Sequence, residues 1–188
     1  MHNAREELLA SLRTLNLGAM AAAVEDTALR AAKEGLTHEA FLLELARIER
    51  AAKAARRIER LLRQSELLQE KTFRTLNLDR FDPATRMQIE RLRSGSFLKD
   101  AINVVAVGRP GAGKSHLASA LGHALVEQGY PVLFTPTGAL VQRLLAAKRD
   151  LRLPQELAKL DRFECLVLDL CVVPRYVESG GARHSDSR

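Results

Sequence analysis

The chain has 188 residues, of which 46% are hydrophobic and only 4% aromatic, and its 29 Lys and Arg outweigh 23 Asp and Glu to give a net charge of +6 and a pI near 9.7. That length makes one ordinary domain, or a small domain with an appendage, and no apolar run reaches the ~18 residues a transmembrane helix needs. The surplus of cations favours an anionic partner, nucleic acid before membrane, while the few aromatics argue against a base-stacking platform.

The N-terminal stretch MHNAREELLASLRTLNL scatters charged residues among its leucines. It has no apolar core of a signal peptide and no small-residue cleavage site, so a cytoplasmic protein is expected. Cys165 and Cys171 form neither a disulfide framework nor a metal-ligand pattern, and both are expected to stay reduced.

Residues 1 to about 72 are rich in Ala, Leu, Glu and Arg, with no Pro and with Gly18 and Gly35 as punctuation. This is helix composition. It predicts helices near 4–15, 19–34 and 38–70, the last one capped by Thr37. In the long helix Ile48, Ala51, Ala55, Ile58 and Leu62 recur every three or four residues and predict one apolar seam. Arg50, Lys53, Arg57 and Arg60 fall opposite it, flanked by Arg47, Arg56 and Arg63, with only Glu49 and Glu59 as nearby acids. Such a face can lie along a phosphate backbone and bind it without reading sequence, by releasing counterions. A merely solvated face is the alternative, but one this unbalanced in charge favours nucleic-acid contact.

Residues 73–100 form a connector, with Asp82-Pro83 starting a short helix and Ser94-Gly95-Ser96 ending it. From Ala101 the pattern changes to strand, glycine loop, helix and strand, an α/β unit with a parallel sheet. Ile102 to Val107 is an apolar strand candidate. It runs into Gly108, Arg109, Pro110, Gly111, Ala112, Gly113, Lys114 and Ser115, which fit the spacing G-x-x-x-x-G-K-[ST] in full. The glycines let successive N–H groups turn inward, and the helix that follows adds its dipole, so the loop is an anion nest. Lys114 can reach the β- and γ-phosphates of a nucleotide, and the Ser115 hydroxyl can ligate Mg²⁺. His116 opens a helix that runs to Gln128 and stops at Gly129; we count it with the nucleotide-binding residues.

Tyr130 to Thr135 predicts a second strand, with Pro131 near its start, and Thr137 is placed to cap a helix over 138–149. A loop at 150–154 leads into a short helix through Asp161. Cys165-Leu166-Val167-Leu168-Asp169 then reads as an apolar strand ending in a carboxylate, the place where P-loop proteins hold the acid beside magnesium; a buried strand whose Asp caps the next turn is the alternative.

The span GRPGAGKSHLASALGHALVEQGYPVLFTP, with LVLDL after it, resembles the IstB-like transposition helper ATPases, relatives of the helicase loader DnaC within the AAA+ group. LRTLNLGAMAAAVED, RRIERLLRQSELLQEKTFRTLNLDRFD and LRSGSFLKDAINVVAVG resemble the same family's helical arm and connector. The resemblance spans residues 5 to about 170. It implies an ATP-binding partner of an insertion-sequence transposase that binds DNA, assembles into homo-oligomers on it and helps choose the target site. It carries Gly108 to Ser115 over as the ATP phosphate loop and Asp169 as the magnesium-side acid. It fits the basic helix from Arg47 to Arg63 more loosely to a DNA-engaging arm. The expected fold is α/β: an N-terminal helical arm (1–72), a connector (73–100) and a partial P-loop core (101–170) of three αβα layers with parallel strands, incomplete at its C-terminus.

The sequence departs from the family at Leu170, where the family has a second acid that polarises the attacking water. Leucine cannot do this, so ATP hydrolysis is expected to be very slow. Residues 171–188 lack periodicity and read as a disordered tail. The family's sensor strand and arginine-finger region have no counterpart, which suggests a frameshift or early stop; translation of the downstream DNA in the other frames tests this. The family resemblance also implies that the strand between the phosphate-loop strand and the acidic strand comes from beyond residue 170. A missing strand leaves a gap of about 10 Å, lined by groups that cost about 1–3 kcal/mol each when buried and unpaired, against total stabilities of about 5–15 kcal/mol. Poor solubility, or pairing with another chain, is therefore expected. A DnaC-like loader and a non-enzymatic DNA-binding fragment stay open as alternatives. A small-molecule kinase is disfavoured by the basic arm and by the lack of a lid segment.

Overall fold

The computed structural model describes residues 2–170. The expected disordered tail and Cys171 lie outside the described residues. Three helices open the chain: α1 (His2–Thr14), α2 (Gly18–Glu34) and α3 (His38–Gln64). Thr37 caps α3 as predicted, its hydroxyl accepting from the Ala40 N–H at 3.2 Å.

α3 does not bury one continuous seam. In its first half Leu45 and Glu49 are buried, Ile48 and Ala52 half-buried, and the helix packs along α2. In its second half Ile58 and Leu61 turn inward and join the core around Leu125 and Val132. At 100° per residue these two sets lie roughly half a turn apart around the helix. Ala51, Ala55 and Leu62 of the predicted seam are exposed. The helix serves two packing partners on different sides, which one periodic stripe cannot describe.

Glu49 is the polar exception in the first half. The N-terminus of α2 has no side-chain cap of its own, and Glu49 supplies one from α3 by accepting the Met20 N–H at 2.9 Å. Arg56 donates to the same carboxylate at 3.0 Å and Lys53 lies 3.9 Å away. The Met20 N–H first, then the Ala19 N–H and the Lys53 and Arg56 charges, hold the Glu49 carboxyl below its ordinary pKa despite its burial. A carboxylate with a lowered folded-state pKa stabilises above the ordinary carboxylate range, and that stabilisation is lost as pH falls through the folded value. Circular dichroism is expected to show α2–α3 helicity falling on acidification below about pH 4.5. Glu25 and Asp82 are also held low, by Arg5 and by the Thr85 hydroxyl respectively, so the measurement is a difference: Glu49→Gln weakens the arm at neutral pH and flattens part of the acid limb. An acid limb unchanged by the substitution refutes this.

α3 ends at Gln64, short of the expected residue 70. Ser65 turns its hydroxyl onto the Leu62 carbonyl at 2.8 Å, Glu66 takes φ +54°, and Leu67 is pulled into the core. There it lies so close to α6 (Lys114–Glu127) that a Cβ on Gly122 would sit 2.5 Å from its Cδ2. Ser119 and His123 of α6 then hold the Leu68 carbonyl, at 3.3 and 3.2 Å. The connector is thus bound across α6. It continues through a 3₁₀ turn at Leu78–Arg80 into α4 (Pro83–Arg93), whose N-cap Asp82 accepts from Ala84 and Thr85, and into the single turn α5 (Ser96–Lys99).

The sheet has two strands among the described residues, β1 (Val132–Pro136) and β2 (Cys165–Asp169), parallel and in the register Val132↔Cys165 to Pro136↔Asp169. Between them run α7 (Thr137–Arg149) and α8 (Leu153–Leu160). β1 alternates as a two-sided strand must. Val132 and Phe134 face Leu61, Leu125 and Val126, while Leu133 faces Leu140 and Leu160. This gives three layers: α3 and α6, the sheet, then α7 and α8. On one flank the Ser65 carbonyl accepts the Phe134 N–H at 2.7 Å. The fold is therefore α/β with a small parallel sheet, mostly helical.

Three local expectations change. Residues 102–107 are not in a strand: a strand needs a ladder partner, and neither β1 nor β2 pairs with them. Val105 and Val107 are consequently 82% and 90% exposed. β1 starts at Val132, because Pro131 stays outside and accepts the Glu164 and Cys165 N–H groups instead. Thr137 does not cap α7. Pro136 holds the N-cap position, and the Thr137 hydroxyl reaches the Asp169 carbonyl at 3.4 Å.

Candidate nucleotide-binding site

Parallel strands gather their C-terminal ends, and with them the usual place for a ligand, at one side of the sheet. Here that side holds Pro136 and Asp169 as register partners. The loop 108–113 delivers α6 to the same place. Gly113 is the N-cap of α6 at φ +87°, a left-handed conformation that any side chain would strain. Gly111 takes φ +78°, and the Ala112 N–H closes on the Arg109 carbonyl at 3.2 Å.

Lys114 Nζ curls back over the loop and donates to the Gly108 and Arg109 carbonyls at 2.8 and 2.9 Å. An ammonium has three N–H donors, so a third remains for an anion at the mouth of the loop. The first turn of α6 adds its own unpaired N–H groups and the positive end of its dipole. Ser115 Oγ donates to Asp169 Oδ1 at 3.0 Å, across 54 residues of sequence. The hydroxyl of the loop and the carboxylate of β2 thus form one pair of hard oxygen donors. Mg²⁺ characteristically takes one or two protein oxygens and completes its shell with phosphate oxygens and waters, so this donor set fits it. Among the described residues no cluster of three or more His, Cys, Asp or Glu could hold a metal by itself.

The other sequence-selected residues are placed as follows. Arg109 and Pro110 sit exposed on the loop. The His116 ring is engaged away from the cradle, with Nε2 at 3.2 Å from the Thr72 carbonyl and 3.1 Å from the Thr75 hydroxyl; its side chain fastens the connector. Arg50, Lys53 and Arg60 are exposed on α3. Arg57 is committed elsewhere: it donates to the Gly129 carbonyl at 3.0 Å, where a cation complements the C-terminal end of α6. Cys165 is half-buried in β2, and burial pushes its thiol pKa up, which disfavours the thiolate. Leu170, beside Asp169, is 67% exposed.

Sequence reasoning missed Thr137, whose hydroxyl steadies the Asp169 backbone. The only signal was indirect: it follows β1 directly, and the ends of adjacent parallel strands meet. It also missed the bonding of Ser119 and His123 to Leu68, because nothing local predicts that a connector crosses its own downstream helix.

A glycine loop at the start of α6, beside a parallel α/β sheet with an acid at the end of one strand, is the arrangement of a P-loop domain. The family model for "IstB-like ATP binding protein" matches residues 10–174. The chain belongs to this family. It is 43% identical over 141 residues to a protein of Sinorhizobium fredii named as an insertion-sequence ATP-binding protein, an overlap covering 74% of this chain and 47% of that relative. It is 34% identical to a protein of Pseudomonas aeruginosa named as an ATP-binding protein of insertion sequence IS21, covering 87% and 62%. A counterpart from insertion sequence IS1162 of Pseudomonas fluorescens is 31% identical, covering 87% and 71%. The chain therefore spans between 47% and 71% of the length of these relatives. No helix among the described residues is long and apolar enough to cross a membrane.

Proposed function

We propose that this chain binds ATP with Mg²⁺ at Gly108–Ser115 and Asp169 and works on DNA as the helper of an insertion-sequence transposase, assisting target selection. The observation that carries the reading is the Ser115–Asp169 pair at 3.0 Å with Lys114 folded over the adjoining loop. Loop N–H groups would hold the phosphates and Lys114 would neutralise them. Ser115 and Asp169 would hold the metal, which when bound shields phosphate charge. Relatives named for insertion sequences support the transposase as partner. In this reading the arm, residues 1–72, contacts the DNA backbone through the exposed Arg50, Lys53 and Arg60 without reading sequence, and copies of the chain assemble on the DNA in the cytoplasm. Arg57 is a weaker candidate, since its guanidinium already holds Gly129.

Leu170 stands where a water-activating acid is needed, and such a base contributes typically 10²–10⁴-fold. Binding without appreciable turnover is the expected state of this chain. Equilibrium titration with ATP should show affinity that rises with magnesium, and Asp169→Asn should abolish the rise while leaving magnesium-free binding intact. Phosphate release should match that of Lys114→Ala. Fast release that Lys114→Ala removes would refute the hydrolysis claim, and no binding of ATP at any magnesium level would refute the whole reading.

A further inference from the structure

At the end of the sheet away from the phosphate loop lies a cleft of about 900 Å³, between the last turn of α3, the start of β1, α7 and α8. Its floor is apolar, with Leu61, Leu133 and Ala147 all buried. Its walls carry six cationic side chains against Glu66, Asp150 and Glu156. Two of those acids are already paired: Glu156 takes Arg143 at 3.3 Å and Lys159 at 2.5 Å, and Asp150 takes Arg152 at 2.6 Å. Arg60, Arg63 and Arg162 have no ion pair among the described residues, and Glu66 is the one remaining acid on the lining. Guanidinium forks match phosphate geometry and carry their charge at every working pH.

The cleft also has an approach. Lys53, Arg56, Arg60 and Arg63 follow one another at three- and four-residue steps, so they form a stripe along α3 that ends at its wall. The stripe is about 15 Å long at 1.5 Å per residue, long enough to follow more than one phosphate of a DNA strand. That is too long for a small anion. Phe163 is the single aromatic on the lining, so the cleft is built for backbone rather than for stacked bases.

We infer that this cleft is a second anchor for the phosphate backbone of duplex DNA, in which Arg63 and Arg162, with Arg60, receive a strand led in along α3. The inference rests on the DNA-binding reading above and adds to it Arg63, at the end of α3, and Arg162, from the core. The test is fluorescence anisotropy of a labelled duplex of unrelated sequence, titrated with the full chain over a potassium chloride series. Arg63→Ala/Arg162→Ala should flatten the slope of log affinity against log salt by about 2, near 0.9 per lost phosphate contact, and lower affinity at least 10-fold at 0.1 M salt. Arg63→Lys/Arg162→Lys should keep most of the slope, and the far-ultraviolet dichroism of both variants should match the parent. If the parent binds duplex and the alanine variant shows an unchanged slope, the cleft is not an anchor and the arm alone carries the contact. If the parent does not bind duplex even at low salt, the DNA-binding reading itself falls and this inference with it.

Discussion

Lys114→Ala should lower ATP affinity by about 100-fold, as read by equilibrium binding of a fluorescent ATP analogue. Hydrogen bonds from charged groups are worth about 1.5–3 kcal/mol each, and two decades in affinity correspond to about 2.7 kcal/mol. The ammonium also ties the Gly108 and Arg109 carbonyls together, so its removal loosens the loop as well as deleting a charge. Lys114→Arg separates these effects. It keeps the charge but cannot reproduce a compact ammonium between two carbonyls, and should recover only part of the affinity. A loss of less than threefold in the alanine variant would mean that nucleotide is held somewhere other than this loop.

Self-association carries the second large effect. Among the described residues, 103–107 make no ladder or turn hydrogen bond through their backbone N–H and C=O groups, and Val105 and Val107 are almost fully exposed. An apolar and unpaired segment is a template for strand addition by a second chain. The full chain should leave a sizing column as oligomer or aggregate at micromolar concentration. Val105→Lys/Val107→Lys should raise the soluble, monomeric fraction several-fold, because paired charges on one face oppose edge pairing. A parent chain that runs as a monomer and melts sharply and cooperatively would contradict this.

The helical arm was legible because composition and punctuation agree: Gly18, Gly35 and Thr37 stand at the boundaries of α2 and α3. The loop and its helix were legible because the spacing of Gly108, Gly113, Lys114 and Ser115 is itself the backbone geometry. β2 and its terminal Asp169 followed from a short apolar run. What failed was decided by distant packing. The end of α3 depends on Leu67 finding Gly122. The rotation of its buried face depends on two unrelated neighbours. Residues 102–107 have the composition of a strand, but a ladder belongs to two segments and cannot be read from one. Arg57 looked like its exposed neighbours until Gly129 came within reach. The candidate site could be assembled from two motifs, yet the closeness of Ser115 to Asp169 is a product of the fold.

α3 passes from the arm into the core as 27 uninterrupted helical residues, a rod about 40 Å long at 1.5 Å per residue. There is no slack between the part that packs on α2 and the part that packs on β1. A load applied at the basic stripe is therefore delivered undiminished to Leu61 and Ser65, and through the Ser65 carbonyl to the edge of β1. Any swivel in the molecule must sit before Thr37 or beyond Ser65, so the arm acts on the core as a lever and not as a tethered appendage.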